Sequence, residues 1–350
     1  MKNNRRSFIR NTIIGTIGVI VIPKIAITAL PAAKRKPLRL NTNDNKNKEM
    51  ERVNFKNRNW EVAANIHFPE GFDRLKKYPA IVCVHPGSSV KEQTAGVYAA
   101  KLAIEGFVTI AFDASFQGES GGEPRYLEDP ATRVEDIRCA VDYLTTLAFV
   151  DEERIGVLGV CAGGGYAANA ALTERRIKAV GTVVGTNASR AFGEADTLQT
   201  LDTVGKQRTE EARGAAPLIT NWTPTSAEEA EQKGMAEFDM LGAIDYYRTP
   251  RGEYPTSCNK LLFTSMSGLV TFDAFHLAER LLTQPLQIIV GDKVGAFGSY
   301  RDGFDLYNKA ASMNKKIYVV KGASHYDLYD QPTAMKEALK QLVPFYRKNL

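Results

Sequence analysis

Short, nearly unbroken apolar runs recur along the chain at 79–84, 107–112, 155–160, 178–185, 286–290 and 316–320. Runs of this length without alternation fit parallel strands buried on both faces. Between them the apolar spacing changes to three or four residues, the period of a helix with one buried face. In 131–147, Val134, Ile137, Val141 and Leu144 fall on one side, Asp129 stands at the N-cap position and Pro130 in the first turn. An earlier stretch, Trp60, Val62, Ala64, Ile66 and Phe68, alternates with mostly polar positions, as a half-buried strand does. The pattern predicts an α/β fold: a mostly parallel, twisted sheet flanked by helices and entered through an antiparallel hairpin.

One connection is far longer than an ordinary crossover, with about 100 residues between the run ending near Gly185 and the run beginning near Leu286. Its spacing predicts helices at 226–233, 235–247 and 272–283, and a loop carrying Pro250, Gly252 and Pro255. We read it as a helical lid inserted at about 187–271. Trp222, Phe238, Tyr246, Tyr247 and Tyr254 gather there, either as a small lid core or as the lining of a substrate pocket.

The extreme N-terminus follows a different pattern. Residues 1–10 are basic, Thr12 to Ile22 is apolar, and small residues follow up to Ala33. Residues 1–33 therefore read as a signal peptide, excluded from the fold. The Arg5-Arg6-Ser-Phe-Ile run resembles a twin-arginine export signal, which implies an exported protein, periplasmic in a bacterium. The apolar core is shorter than the roughly 20 residues of a spanning helix. An uncleaved anchor running on to Leu30 is the alternative, and the only route to a membrane. Residues 34–50, rich in Asn, Lys and Asp, form a polar linker, and 51–350 form the folded domain.

The whole chain has 350 residues, 45 of them basic and 40 acidic. All five cations of the signal segment are unopposed, so without it the two signs balance at 40 each. That balance removes the electrostatic case for a nucleic-acid partner. The four cysteines do not suggest a disulfide framework: Cys83 lies in an apolar run, Cys139 in a helical pattern, Cys161 in a glycine-rich turn, and only Cys258 in a loop-like stretch.

Candidate chemistry centres on Arg154-Ile-Gly-Val-Leu-Gly159-Val-Cys161-Ala-Gly163-Gly-Gly165-Tyr166. An apolar run ends in a cysteine between glycines, and a small-residue helix follows, as in a strand-turn-helix that presents a nucleophile. The glycines would give Cys161 room on a strained turn, and the helix N-terminus would favour its thiolate. A small buried residue at a helix start is the plainer reading. Gly163-Gly-Gly165-Tyr-Ala-Ala168 also fits a loose dinucleotide motif, but the next run, Val180 to Asn187, ends without the acid that would hold a ribose. No phosphate-loop motif is present.

A thiol nucleophile needs a base. Of the four histidines, His67 falls on the polar phase of the first strand and His276 in a helical pattern. His85 and His325 both lie just past strand ends, where ligands gather in open α/β sheets, and His325 is the preferred base.

The order of strand, His85-Pro-Gly87, strand, Gly159-x-Cys161-x-Gly163, long insertion, strand and Gly322-x-x-His325 resembles the α/β-hydrolase fold. In detail it resembles the branch related to dienelactone hydrolase, whose nucleophile is cysteine. Val90 to Ala95, Phe112 to Arg125 and Tyr247 to Gly252 share in the resemblance, which covers about 52–345. It implies a hydrolase that cleaves a small-molecule ester, lactone or thioester through an acyl-enzyme on Cys161, without metal or organic cofactor. It further implies proton shuttling by His325, with the N–H groups of Gly87 and Ala162 as the oxyanion hole. The chain departs from the pattern at the acid: Gly291-Asp292-Lys293-Val294 has valine at the usual fourth position. Asp292 is the candidate in its place, ahead of Asp302 and Asp327. Two other readings remain, a non-catalytic binding protein that keeps the pocket, and a peptidase with an open cleft.

Overall fold

The computed structural model describes residues 49–193 and 196–350, so the expected signal peptide and the linker up to residue 48 lie outside the described residues. The strands are β1 Met50–Asn57, β2 Trp60–His67, β3 Tyr78–Val84, β4 Val108–Phe112, β5 Val150–Val160, β6 Ile177–Val183, β7 Ile219–Asn221, β8 Lys260–Leu262, β9 Leu286–Gly291 and β10 Lys315–Val320. Eight form one sheet in the order β1-β2-β4-β3-β5-β6-β9-β10, while β7 and β8 pair as a separate small ribbon. β2 runs antiparallel to β1 and β4, and every other neighbour in the large sheet is parallel. The α/β class and the entry hairpin are as the pattern predicts.

The helices are α1 Thr94–Ile104, α2 Pro130–Thr145, α3 Ala162–Thr173, α4 Ala188–Gly193, α5 Thr197–Ala212, α6 Ala227–Gln232, α7 Phe238–Arg248, α8 Met266–Leu269, α9 Ala278–Leu281, α10 Ser299–Lys309, α11 Asp327–Asp330 and α12 Pro332–Asn349. One face of the sheet packs on α2, α3 and α10 through Ile137, Val141, Ala167 and Leu306. The other packs on α1 and α12 through Tyr98, Leu102, Leu342 and Tyr346. This two-sided cover explains the unbroken apolar runs: successive residues of β3, such as Ile81 and Val82, feed opposite cores. α2 begins where the sequence places it, with the Asp129 carboxylate accepting from the Thr132 N–H at 3.2 Å. Among the described residues, no helix is long and apolar enough to cross a membrane.

The lid departs from expectation in two places. The helix expected at 272–283 shrinks to α9, because Leu277 turns into the left-handed region at φ 65° and the Asp273 carboxylate accepts from the Phe275 N–H instead. α5 is an extra helix, capped by Asp196 on the Gln199 N–H. Only Val204 of its residues is buried, so it carries no apolar period to read.

Because β3, β5, β6, β9 and β10 are parallel, their carboxyl ends share one edge, and His85, Cys161, Asp292 and the 322–325 turn all follow it. At that edge, past the ends of β3 and β4, the stretches that carried the family resemblance meet one another. Buried Lys91 pairs with Asp113, Glu92 and Glu119. Asp113 is itself fully buried and also accepts from the N–H groups of Lys91 and Glu119. The Gln93 side-chain amide donates to the Gly252 carbonyl at 2.6 Å. Removing one partner of a buried pair leaves the other charge uncompensated, and Lys91 is the one cation paired with Asp113 among the described residues, so Lys91→Ala should destabilise the fold by about 3–5 kcal/mol, read as a fall in the urea unfolding midpoint.

Candidate active site

Cys161 ends β5 and caps α3 with φ 55° and ψ −126°, a conformation that a residue with a side chain adopts only where its surroundings impose it. Its N–H donates to the Val183 carbonyl, and its own carbonyl accepts from the N–H groups of Gly164 and Thr186. The glycines act on the backbone rather than on the cysteine side chain. A Cβ on Gly159 would lie 2.1 Å from the Gly163 carbonyl oxygen, and one on Gly163 would lie 2.3 Å from that of Val84. Bare glycine therefore lets the first turn of α3 press against β5 and the end of β3.

Cys161, Gly87 and Ala162 border one cavity of about 320 Å³. Ala162 opens α3, where the first N–H groups have no partner within the helix, and its N–H favours the Cys161 thiolate. The lid closes the cavity with Phe192 of α4, Trp222 after β7, Met240 and Tyr247 of α7, and Leu269 of α8. Trp222 and Tyr247 thus line the pocket, whereas Phe238 is exposed and Tyr246 packs in the core beneath. None of the described residues lining the cavity is acidic, basic or histidine. The Trp222 Nε1 is buried without a hydrogen-bond partner.

The buried His325 does not line the cavity; Tyr329, four residues on, does. The imidazole Nε2 lies 3.2 Å from the Tyr329 hydroxyl and Nδ1 lies 3.0 Å from the Ser299 Oγ. The Tyr329 hydroxyl also reaches Cys161 and favours its thiolate. None of the three candidate acids meets the imidazole. Asp292 is exposed and accepts from the Gly322 N–H at 2.6 Å. Asp302 takes the Asn187 N–H and the Arg190 guanidinium, and Asp327 takes the Ser324 N–H. Ser299 occupies the place beside Nδ1 where the resemblance implies an acid.

Among the remaining histidines, His85 is structural. Its Nδ1 lies 2.6 Å from the Pro86 carbonyl, its Nε2 accepts from the Ala114 N–H, and Arg133 holds its carbonyl. His67 is half-buried rather than solvated, and burial pushes it down to about 4; His276 is exposed. All four cysteines are free. Among the described residues no group of His, Cys, Asp or Glu converges as a metal site would.

Burial also sets the protonation of the site. It pushes the Cys161 thiol up, outweighing the help from Tyr329, the Ala162 N–H and Thr186. It pushes His325 down to about 3. Desolvation thus works against both the thiolate and the imidazolium in the resting site, opposing the help expected from the helix N-terminus. A buried carboxyl from the lid, Asp239 of α7, is pushed up to about 6 by the same desolvation. It accepts from the Phe297 N–H at 2.8 Å, and the Phe297 ring stands edge-on to His325 at 5.7 Å.

A family model described as PET hydrolase-like matches residues 55–209. Protein YcjY of Escherichia coli is 44% identical over 312 residues, spanning 87% of this chain and 99% of its own. The crystal structure of protein PA2218 from Pseudomonas aeruginosa superposes with a TM-score of 0.77 at 31% identity, covering 90% of this chain and 100% of that one. The chain belongs to their family, a branch of the α/β-hydrolases. A more distant α/β-hydrolase, GrgF from Penicillium sp. sh18, shares the fold at 17% identity with a TM-score of 0.69, over 86% of this chain and 98% of that one.

Two site residues of this α/β-hydrolase escape sequence reasoning. Ser299 belongs to no motif, and Tyr329 is marked only by its spacing of one helical turn from His325. Because the resting thiol is protonated, its reactivity follows the thiolate fraction. Alkylation of Cys161 by iodoacetamide should be slow at pH 7 and rise steeply through pH 9 without a plateau, followed by mass spectrometry of the labelled peptide.

Proposed function

We propose that this α/β-hydrolase cleaves a neutral ester, lactone or thioester through an acyl-enzyme on Cys161. The observation that carries the reading is the strained cysteine at the N-terminus of α3, open to an apolar cavity that also holds Gly87 and Ala162. The PET hydrolase-like family match supports ester chemistry.

The steps follow from the geometry. The Cys161 sulfur attacks the acyl carbon as its proton leaves toward His325, and the carbonyl oxygen takes up negative charge. The N–H groups of Ala162 and Gly87 stabilise that oxygen as fixed dipoles that need no reorganisation. Collapse expels the alcohol or thiol, which carries off the proton, and water releases the acid by the same path. A cavity without ionised side chains would desolvate a charged acyl group with no compensation. The acyl group is therefore neutral and largely apolar. The Trp222 Nε1–H, buried without a partner at the cavity wall, would meet an acceptor on it.

Among the described residues no carboxylate hydrogen-bonds His325, which favours a second reading, a binding protein that keeps the pocket without turnover. A panel of aryl esters and lactones separates the two. We expect the wild-type protein to hydrolyse neutral short-chain aryl esters and Cys161→Ala to lose at least 10³-fold, with acyl trapped on Cys161. A succinyl ester with a free carboxylate should be turned over at least tenfold more slowly than the butyryl ester. Equal turnover by wild type and Cys161→Ala would exclude the thiol mechanism, and no turnover by either would favour the binding protein.

A further inference from the structure

We infer that the Tyr329 hydroxyl is a catalytic residue, the link through which the Cys161 proton reaches His325. The inference rests on the proposed thiol chemistry and adds a member to it. Tyr329 lines the same cavity as Cys161, and its hydroxyl lies 3.2 Å from His325 Nε2. His325 itself is shut away from the cavity behind it.

The position of that hydroxyl is built from several directions. Thr94 of α1 donates its hydroxyl to the Tyr329 carbonyl at 2.9 Å, and Tyr98 donates to the Leu328 carbonyl at 2.8 Å. Arg251 binds the Asp330 carboxylate and the Tyr326 carbonyl, clamping the residues on either side. The Tyr329 ring packs against Tyr326 at 4.7 Å and edge-on to Tyr246 at 5.0 Å. A side chain needed only to fill space does not require its backbone to be tied from both α1 and the Arg251 loop.

The chemistry balances with neutral partners at rest. When Tyr329 donates to Nε2, the proton of the imidazole sits on Nδ1 and points at the Ser299 Oγ. As the sulfur–carbon bond forms, the Cys161 S–H bond breaks and its proton passes to the Tyr329 oxygen. In the same event the original Tyr329 proton passes to Nε2. The phenol ends neutral, the imidazole becomes imidazolium, and the carbonyl π electrons settle on the oxygen at Ala162 and Gly87. When the tetrahedral intermediate collapses, the bond to the leaving atom breaks, and the imidazolium returns one proton through Tyr329 to that atom. Hydrolysis of the acyl-enzyme repeats both transfers with water in place of the thiol. Burial holds the phenol proton firmly, which fits an exchange of one proton for another rather than ionisation.

Two protons then move in the acylation step, where direct contact between thiol and imidazole would move one. The test is a proton inventory, kcat/KM for a neutral aryl ester measured across mixtures of light and heavy water. The full-length wild-type protein should give a bowed plot, and a straight line overturns the inference without any variant. Tyr329→Phe, which keeps the ring packing, should lose about 10²-fold or more in kcat/KM with an unchanged melting temperature, and its plot should straighten. Tyr329→Phe activity within twofold of wild type, or above it, overturns the relay. If Cys161→Ala is inactive in the same assay, the thiol hydrolase stands and only the relay falls. If Cys161→Ala is as active as wild type, both fall.

Discussion

The site depends on how closely the first turn of α3 can approach the ends of β3 and β5. That approach forces Cys161 into a backbone conformation that costs on the order of 1–3 kcal/mol, and it is possible only with bare glycine at 159 and 163. The surrounding sheet holds the strained turn through the hydrogen bonds from Cys161 to Val183 and from Thr186 back to Cys161. The same approach sets the Ala162 N–H against the sulfur, in a cavity that Gly87 also borders. Cysteine, helix N-terminus and cavity wall are thus brought together by one close contact between backbones.

Desolvation is the second constraint, and it is stronger than the local dipoles. The thiol and the imidazole are both held neutral in the resting site, and the phenol between them keeps its proton. Charge separation is therefore confined to the moment when substrate supplies an oxyanion for the N–H groups to stabilise. Cys161 remains partly open to the cavity, so its protonation also depends on what fills that space. A hydroxyl at Ser299 meets the imidazole without placing a carboxylate beside it, while the buried Asp239 carboxyl acts on Cys161 and further disfavours the thiolate.

The parts of the fold that were legible in the sequence are those whose burial pattern is local. The runs in β3, β4, β6, β9 and β10 announce themselves because both faces are covered, and α2 because Asp129, Pro130 and the Val134 face coincide. Cys161 and His325 were legible because glycine punctuation and strand-end position carry the signal. α5 was not, since its surface is polar nearly all round. Asp292 was proposed from alignment with a pattern, but its carboxylate satisfies the Gly322 N–H, a contact between two distant turns. Tyr329 and Ser299 acquire their places only from tertiary packing, the one through α1 and Arg251, the other at the start of α10.

The lid is not mechanically uniform. α7 is bound to the base side of the site through Asp239, whose carboxyl holds the Phe297 N–H and leaves no space for a side chain at Gly295. Phe297 in turn abuts His325. α5 buries only Val204 and α6 only Ala230 among their described residues, and their surfaces are mostly solvated. A change on the solvated faces of α5 and α6 is absorbed by water, whereas a change at Asp239 is passed to His325 through a single ring.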